Sequence, residues 1–86
     1  MKEFTYTIED ELGIHARPAG LLTKLAKSFP DTVVTVSKGE RSAKATQLMK
    51  VMNMAVKKGD TVTVAAEGPA EEEAIAALRQ FFEETL

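Results

Sequence analysis

The spacing at which apolar residues recur switches several times along this 86-residue chain, and the order of those switches limits the fold more than any other feature. Phe4, Tyr6 and Ile8 alternate with Thr5 and Thr7, the period-two pattern of a strand with one buried face. Leu21, Leu22, Leu25, Ala26 and Phe29 then recur at three- and four-residue spacing, and Pro30 stops the helix they define. Thr32 to Ser37 is rich in β-branched residues and predicts a second strand, which Lys38-Gly39-Glu40 turns into a third around Arg41 to Lys44. Leu48 to Val56 predicts a short helix ended by Lys57, Lys58 and Gly59, and Thr61 to Ala66 a fourth strand. Gly68-Pro69 breaks the chain before a last helix, which carries Glu71, Glu72 and Glu73 in its first turn and Ala74, Ile75, Leu78, Phe81 and Phe82 on one stripe. The order β-α-β-β-α-β-α, with half-apolar strands and striped helices, predicts an α+β open-faced sandwich. Three helices cover one face of a four-stranded antiparallel sheet, and Thr5, Thr7, Thr35 and Thr63 face solvent on the other.

No linker, repeat or low-complexity segment interrupts the pattern, so residues 1–86 are expected to form one domain. The chain has no cysteine, no secretory leader pattern and no apolar run of about 18 residues, which together point to a cytoplasmic, non-inserting protein. A net charge of −2 argues against nucleic-acid binding, which needs Lys and Arg to neutralise phosphates. The split β-α-β order also occurs in RNA-recognition modules, but those expose aromatics on the sheet where this one exposes threonine. The run Glu71 to Glu73 fits a helix start better than a ligand site.

The chemistry concentrates in Gly13-Ile14-His15-Ala16-Arg17-Pro18-Ala19-Gly20. A histidine at a loop–helix junction is ordinarily just a solvated cap; its neighbours are what distinguish this one. The pattern places His15 as N-cap of the first helix, where the free N–H groups of Ala16 and Arg17 and the positive end of the helix dipole attract an anion. Arg17 adds a fixed charge, and Pro18 is tolerated because a first-turn N–H has no intrahelical partner. Gly13 permits a tight approach, Ile14 precedes the cap as an apolar anchor, and Ala16, Ala19 and Gly20 leave the first turn open to a partner surface. An imidazole, a guanidinium and backbone donors converging on one spot can bind a phosphoryl group and hold it covalently.

This segment, its spacing to Leu48-Met49-Lys50-Val51-Met52 and the chain length resemble the HPr family of histidine-containing phosphocarriers, over essentially the whole chain. The resemblance implies an open-faced sandwich that works as a stoichiometric carrier rather than a stand-alone enzyme. His15 would accept a phosphoryl group at Nδ1 from phosphorylated enzyme I and pass it to the A components of sugar-specific enzyme II. It implies no cofactor and no metal on the carrier, and a monomer is expected. A paralogous nitrogen-related or dihydroxyacetone relay, or a regulatory protein without a transport role, would use the same residues with other partners.

By the same resemblance Leu48, Met49 and Met52, with Gly20, Lys24 and Lys27, match the docking surface for acidic-rimmed partners. Methionine's adaptable side chain suits contact with several of them. Some relatives carry a regulatory serine at the start of the short helix, and no serine occurs here after Ser42. Register on the apolar residues places Gln47 at that position; ungapped counting from His15 places Thr46 there. Lys50 also replaces a small residue common in the family, so the serine-kinase switch is not expected.

Overall fold

The computed structural model describes residues 1–86 as β1 (Lys2–Thr7), α1 (Ala16–Lys27), β2 (Val33–Lys38), β3 (Arg41–Lys44), α2 (Leu48–Asn53), β4 (Thr61–Glu67) and α3 (Glu71–Thr85). All three strand pairings are antiparallel and the spatial order is β1-β4-β2-β3. The register aligns Phe4, Val64, Val36 and Ala43 in one row across the sheet, and each of these side chains is buried. Because successive residues of a strand point to opposite faces, the neighbouring row of Thr5, Thr63, Ser37 and Ser42 lies on the open side. The predicted α+β sandwich and the β2–β3 hairpin are therefore observed, and Thr5 and Thr7 are exposed while Thr35 and Thr63 are half-buried by their neighbours.

Over the buried face, α3 packs on β1 and β4, α2 packs on β3, and α1 lies between the two other helices. Ala74, Leu78 and Phe82 form the inner stripe of α3. Phe82 meets Phe4, Tyr6 and Phe81 edge-on at centroid distances of 5.7–5.8 Å, the geometry favoured by the aromatic quadrupole. Glu71 reaches back from the first turn of α3 to accept the Gly68 N–H at 3.3 Å, as its placement at a helix start predicts.

Two sequence expectations need correction. Leu21 is exposed rather than core, because α1 buries the face of Ala19, Leu22, Thr23 and Ala26. Thr23 is tolerated inside because its hydroxyl donates to the Ala45 carbonyl at 2.9 Å, tying α1 to the segment before α2. The second correction concerns α2, which ends at Asn53 rather than Val56. Met54 turns into the core and Ala55 adopts a left-handed backbone, φ +53°, so the chain leaves the helix four residues before Gly59. Lys57 and Lys58 therefore lie outside the helix; Lys50 is the basic residue of its last turn.

Candidate functional site

His15 is the N-cap of α1, with extended backbone (φ −96°, ψ −171°), and its carbonyl accepts the Ala19 N–H at 2.9 Å to close the first turn. Its half-buried imidazole makes no hydrogen bond, and the N–H groups of Ala16 and Arg17 point out of the helix start without an acceptor. Arg17 is exposed and forms no ion pair. Three donor elements for an anion thus stand uncommitted beside one nucleophilic ring.

The loop before the helix sets where this ring stands. Gly13 has φ +66°, and a Cβ there would lie 2.2 Å from the Val56 carbonyl oxygen, so only glycine fits. The Ile14 N–H donates to that same carbonyl at 3.0 Å, and the Ile14 side chain is buried. The tight approach read from Gly13 and the apolar anchoring read from Ile14 are both present. A shallow cleft at the helix start is lined by His15, Arg17, Pro18, Leu21, Asp10 and Glu84.

The sequence reading did not anticipate the last three of those residues. Asp10 and Glu84 bring two carboxylates to the same cleft as Arg17, from a loop and from the end of α3, positions distant in sequence. Leu21 supplies an apolar edge. Leu12, 69% exposed on the turn in which the Asp10 carboxylate accepts its N–H at 2.8 Å, adds a second apolar group in the loop leading to His15.

Of the residues matched to a docking surface, Met49 (65%) and Leu48 (38%) are exposed, and Met52 is half-buried against the core. Val51 and Met54 take the core positions of the same segment. Gly20 is half-exposed, with open space where a side chain would start. Lys24 and Lys27 are exposed, form no ion pair and stand in the last turn of α1, where positive charge suits the dipole. Gln47 is the N-cap of α2, its carbonyl accepting the Val51 N–H at 3.0 Å; Thr46 precedes it, exposed.

The charges divide by position. Residues 16–58 carry nine basic and two acidic side chains, while the rest of the chain carries two basic and eleven acidic. The first group falls in α1, β2, β3, α2 and the segment after α2, and the second in β1, β4, α3 and the loops that follow β1 and precede β4. His15 lies at the junction of the two. No helix is long and apolar enough to cross a membrane.

Residues 2–84 match the family model of the PTS HPr component phosphorylation site. The phosphocarrier protein HPr of Mycoplasma capricolum subsp. capricolum is 38% identical over 80 residues, spanning 93% of this chain and 89% of that protein. Among solved structures, the histidine-containing phosphocarrier protein of a Mycoplasma superposes with a TM-score of 0.93 at 36% identity, covering 98% of this chain and 94% of that one. HPr of Thermoanaerobacter tengcongensis superposes with a TM-score of 0.91 at 39% identity, covering 98% and 93%.

Proposed function

The chain belongs to the HPr family of phosphocarriers, and on that premise we propose that it accepts a phosphoryl group on His15 from phosphorylated enzyme I and passes it to the A component of a sugar-specific enzyme II. The observation that carries this reading is the uncommitted set at the start of α1: an unbonded imidazole, two free N–H groups and an unpaired Arg17. The lone pair of a neutral His15 nitrogen attacks phosphorus in line. As the new P–N bond forms, the donor's P–N bond breaks and its electron pair returns to the donor imidazole. Each ring keeps the proton on its other nitrogen, so the step needs no net proton.

The role of the chain is to position and to stabilise charge. Negative charge spreading over the phosphoryl oxygens falls beside Arg17 and the Ala16 and Arg17 N–H groups, which are oriented before the reaction begins. Met49, Leu48 and Met52, with Gly20, Lys24 and Lys27, dock the partner, and the lysines speed its approach. Gln47 occupies the position of the regulatory serine and cannot form a phosphate ester, so the carrier runs without that switch.

The test is a reconstituted relay of phosphoenolpyruvate, enzyme I, this chain and an enzyme II A component. Phosphate should reach the A component only when the chain is present. Labelling of the chain with no onward transfer to sugar-specific A components, but transfer to a dihydroxyacetone or nitrogen-related acceptor, would reassign it to a paralogous relay.

A further inference from the structure

His15 has no side-chain partner to orient it, so its place is inherited from the backbone of residues 13–15. Only one backbone hydrogen bond ties those residues to an element outside their own loop and α1, the bond from the Ile14 N–H to the Val56 carbonyl. Gly13 packs so near the same carbonyl and the Lys57 Cα that a Cβ would overlap both, so a displacement of Val56 would be transmitted to the cap. Val56 in turn follows Ala55, whose left-handed backbone (φ +53°) is strained for a residue with a Cβ and persists only where the surroundings impose it.

A pair of side chains grips both neighbours of Val56. On one side, Lys38 Nζ donates to the Ala55 carbonyl at 3.2 Å. On the other, Asp60 Oδ2 accepts the Lys57 N–H at 2.8 Å. The same Oδ2 accepts from Lys38 Nζ at 3.0 Å, which closes the clamp into one unit. The Lys57 N–H, then the Lys38 ammonium, hold the Asp60 carboxyl below its ordinary pKa, as expected for an anion fixed by these donors. The backbone groups held are those immediately before and after the carbonyl on which Ile14 hangs.

The geometry points to Lys38 and Asp60 as positioning residues for His15, acting through Ala55–Lys57 and the Ile14–Val56 hydrogen bond. Neither lines the cleft at the start of α1. The inference rests on the carrier reading for its catalytic consequence, while its structural half stands independently of that reading. Loss of the clamp should leave the docking surface intact and displace the nucleophile, so the maximal transfer rate falls and the apparent KM for enzyme I does not.

The experiment compares wild type with Asp60→Ala, Asp60→Asn and Lys38→Met, and with Glu71→Ala as a control for lost stability away from the site. Amide hydrogen exchange at Ile14 is read by NMR. His15 phosphorylation is read with enzyme I and with phosphoramidate, a small donor that gives its phosphoryl group to imidazole with loss of ammonia. Asp60→Ala and Lys38→Met should expose the Ile14 amide about tenfold and slow phosphorylation by both donors about three- to tenfold, since small misplacements of reacting groups cost rate steeply. Asp60→Asn, which keeps an acceptor for the Lys57 N–H, should recover part of both. Unchanged Ile14 exchange or unchanged rates in folded Asp60→Ala and Lys38→Met would overturn the inference, as would an equal slowing in Glu71→Ala. If Asp60→Ala fails to fold, Asp60→Asn and Lys38→Met decide. Should wild-type His15 take no label from either donor, the carrier reading fails, and the Ile14 exchange still decides whether the clamp holds the cap.

Discussion

The two halves of this molecule share one sheet and one core but treat charge in opposite ways. In the β1–β4–α3 half, several acidic groups have structural work: Glu71 binds the Gly68 N–H and Asp60 binds Lys57 and Lys38. In the α1–β2–β3–α2 half, Lys38 is the only one of nine basic residues with a carboxylate partner. Uncommitted cations and the exposed Met49 and Leu48 share this half, and on the proposed function they form the surface that meets an acidic partner, whereas the acidic half keeps its largest side chains around Phe82. On the proposed function, His15 at the seam would let a partner dock on the basic half alone.

Arg17→Ala should produce the largest effect among the surface substitutions. Its charge-assisted hydrogen bonds contribute roughly 1.5–3 kcal/mol to the transferring phosphoryl group, so transfer should slow by about ten- to a hundredfold with folding unaltered. Unchanged rates in both directions would make Arg17 an ordinary surface charge. Next in size is Met49→Glu, which buries an unpaired charge against an acidic rim and should raise the apparent KM by about tenfold or more while sparing the maximal rate. The same change at Met52 should also lower the melting temperature, because Met52 is half-buried against the core. A Met49→Glu protein that folds and docks normally would move the docking surface elsewhere.

A direct contrast of the halves comes from paired charge reversals. Lys24→Glu with Lys27→Glu should reduce the association rate with enzyme I severalfold and weaken its dependence on salt, measured by stopped flow across ionic strength. Glu72→Lys with Glu73→Lys should change neither by comparison. A response of similar size and opposite sign in the Glu→Lys pair, with faster association, would mean that net charge, not its placement, governs encounter. Smallest of all is Gly20→Ala, which meets open space and replaces glycine inside a helix, so thermal unfolding should show a gain of about 0.5–1 kcal/mol. A loss of docking in that stabilised variant would show that the partner approaches the α1 backbone closely there.

The order of elements was legible because apolar spacing reports buried faces directly, and the candidate site was legible because His15, Arg17 and the free N–H groups are contiguous in the chain. What the sequence concealed depends on contacts between distant segments. The end of α2 was misplaced because a left-handed alanine carries no sequence signal, while Gly59 offers a conspicuous but later one. Leu21 belongs to an apolar stripe by spacing, yet the inward face of α1 includes Thr23, whose buried hydroxyl finds the Ala45 carbonyl in a distant segment, and leaves Leu21 outside. Asp10 and Glu84 reach the His15 cleft from opposite ends of the chain, and no local pattern joins them. The charge division can be counted along the sequence but acquires meaning only once the strand order sets β1 beside β4 and β2 beside β3.

The central claim, that His15 carries the phosphoryl group, is tested most directly by mapping the label acquired from radiolabelled phosphoenolpyruvate and enzyme I. The account predicts one phosphoryl group per chain, confined to His15, labile in acid and stable in base as a P–N bond requires, and absent from His15→Ala. An acid-stable label, or full labelling of the His15→Ala protein, would contradict it.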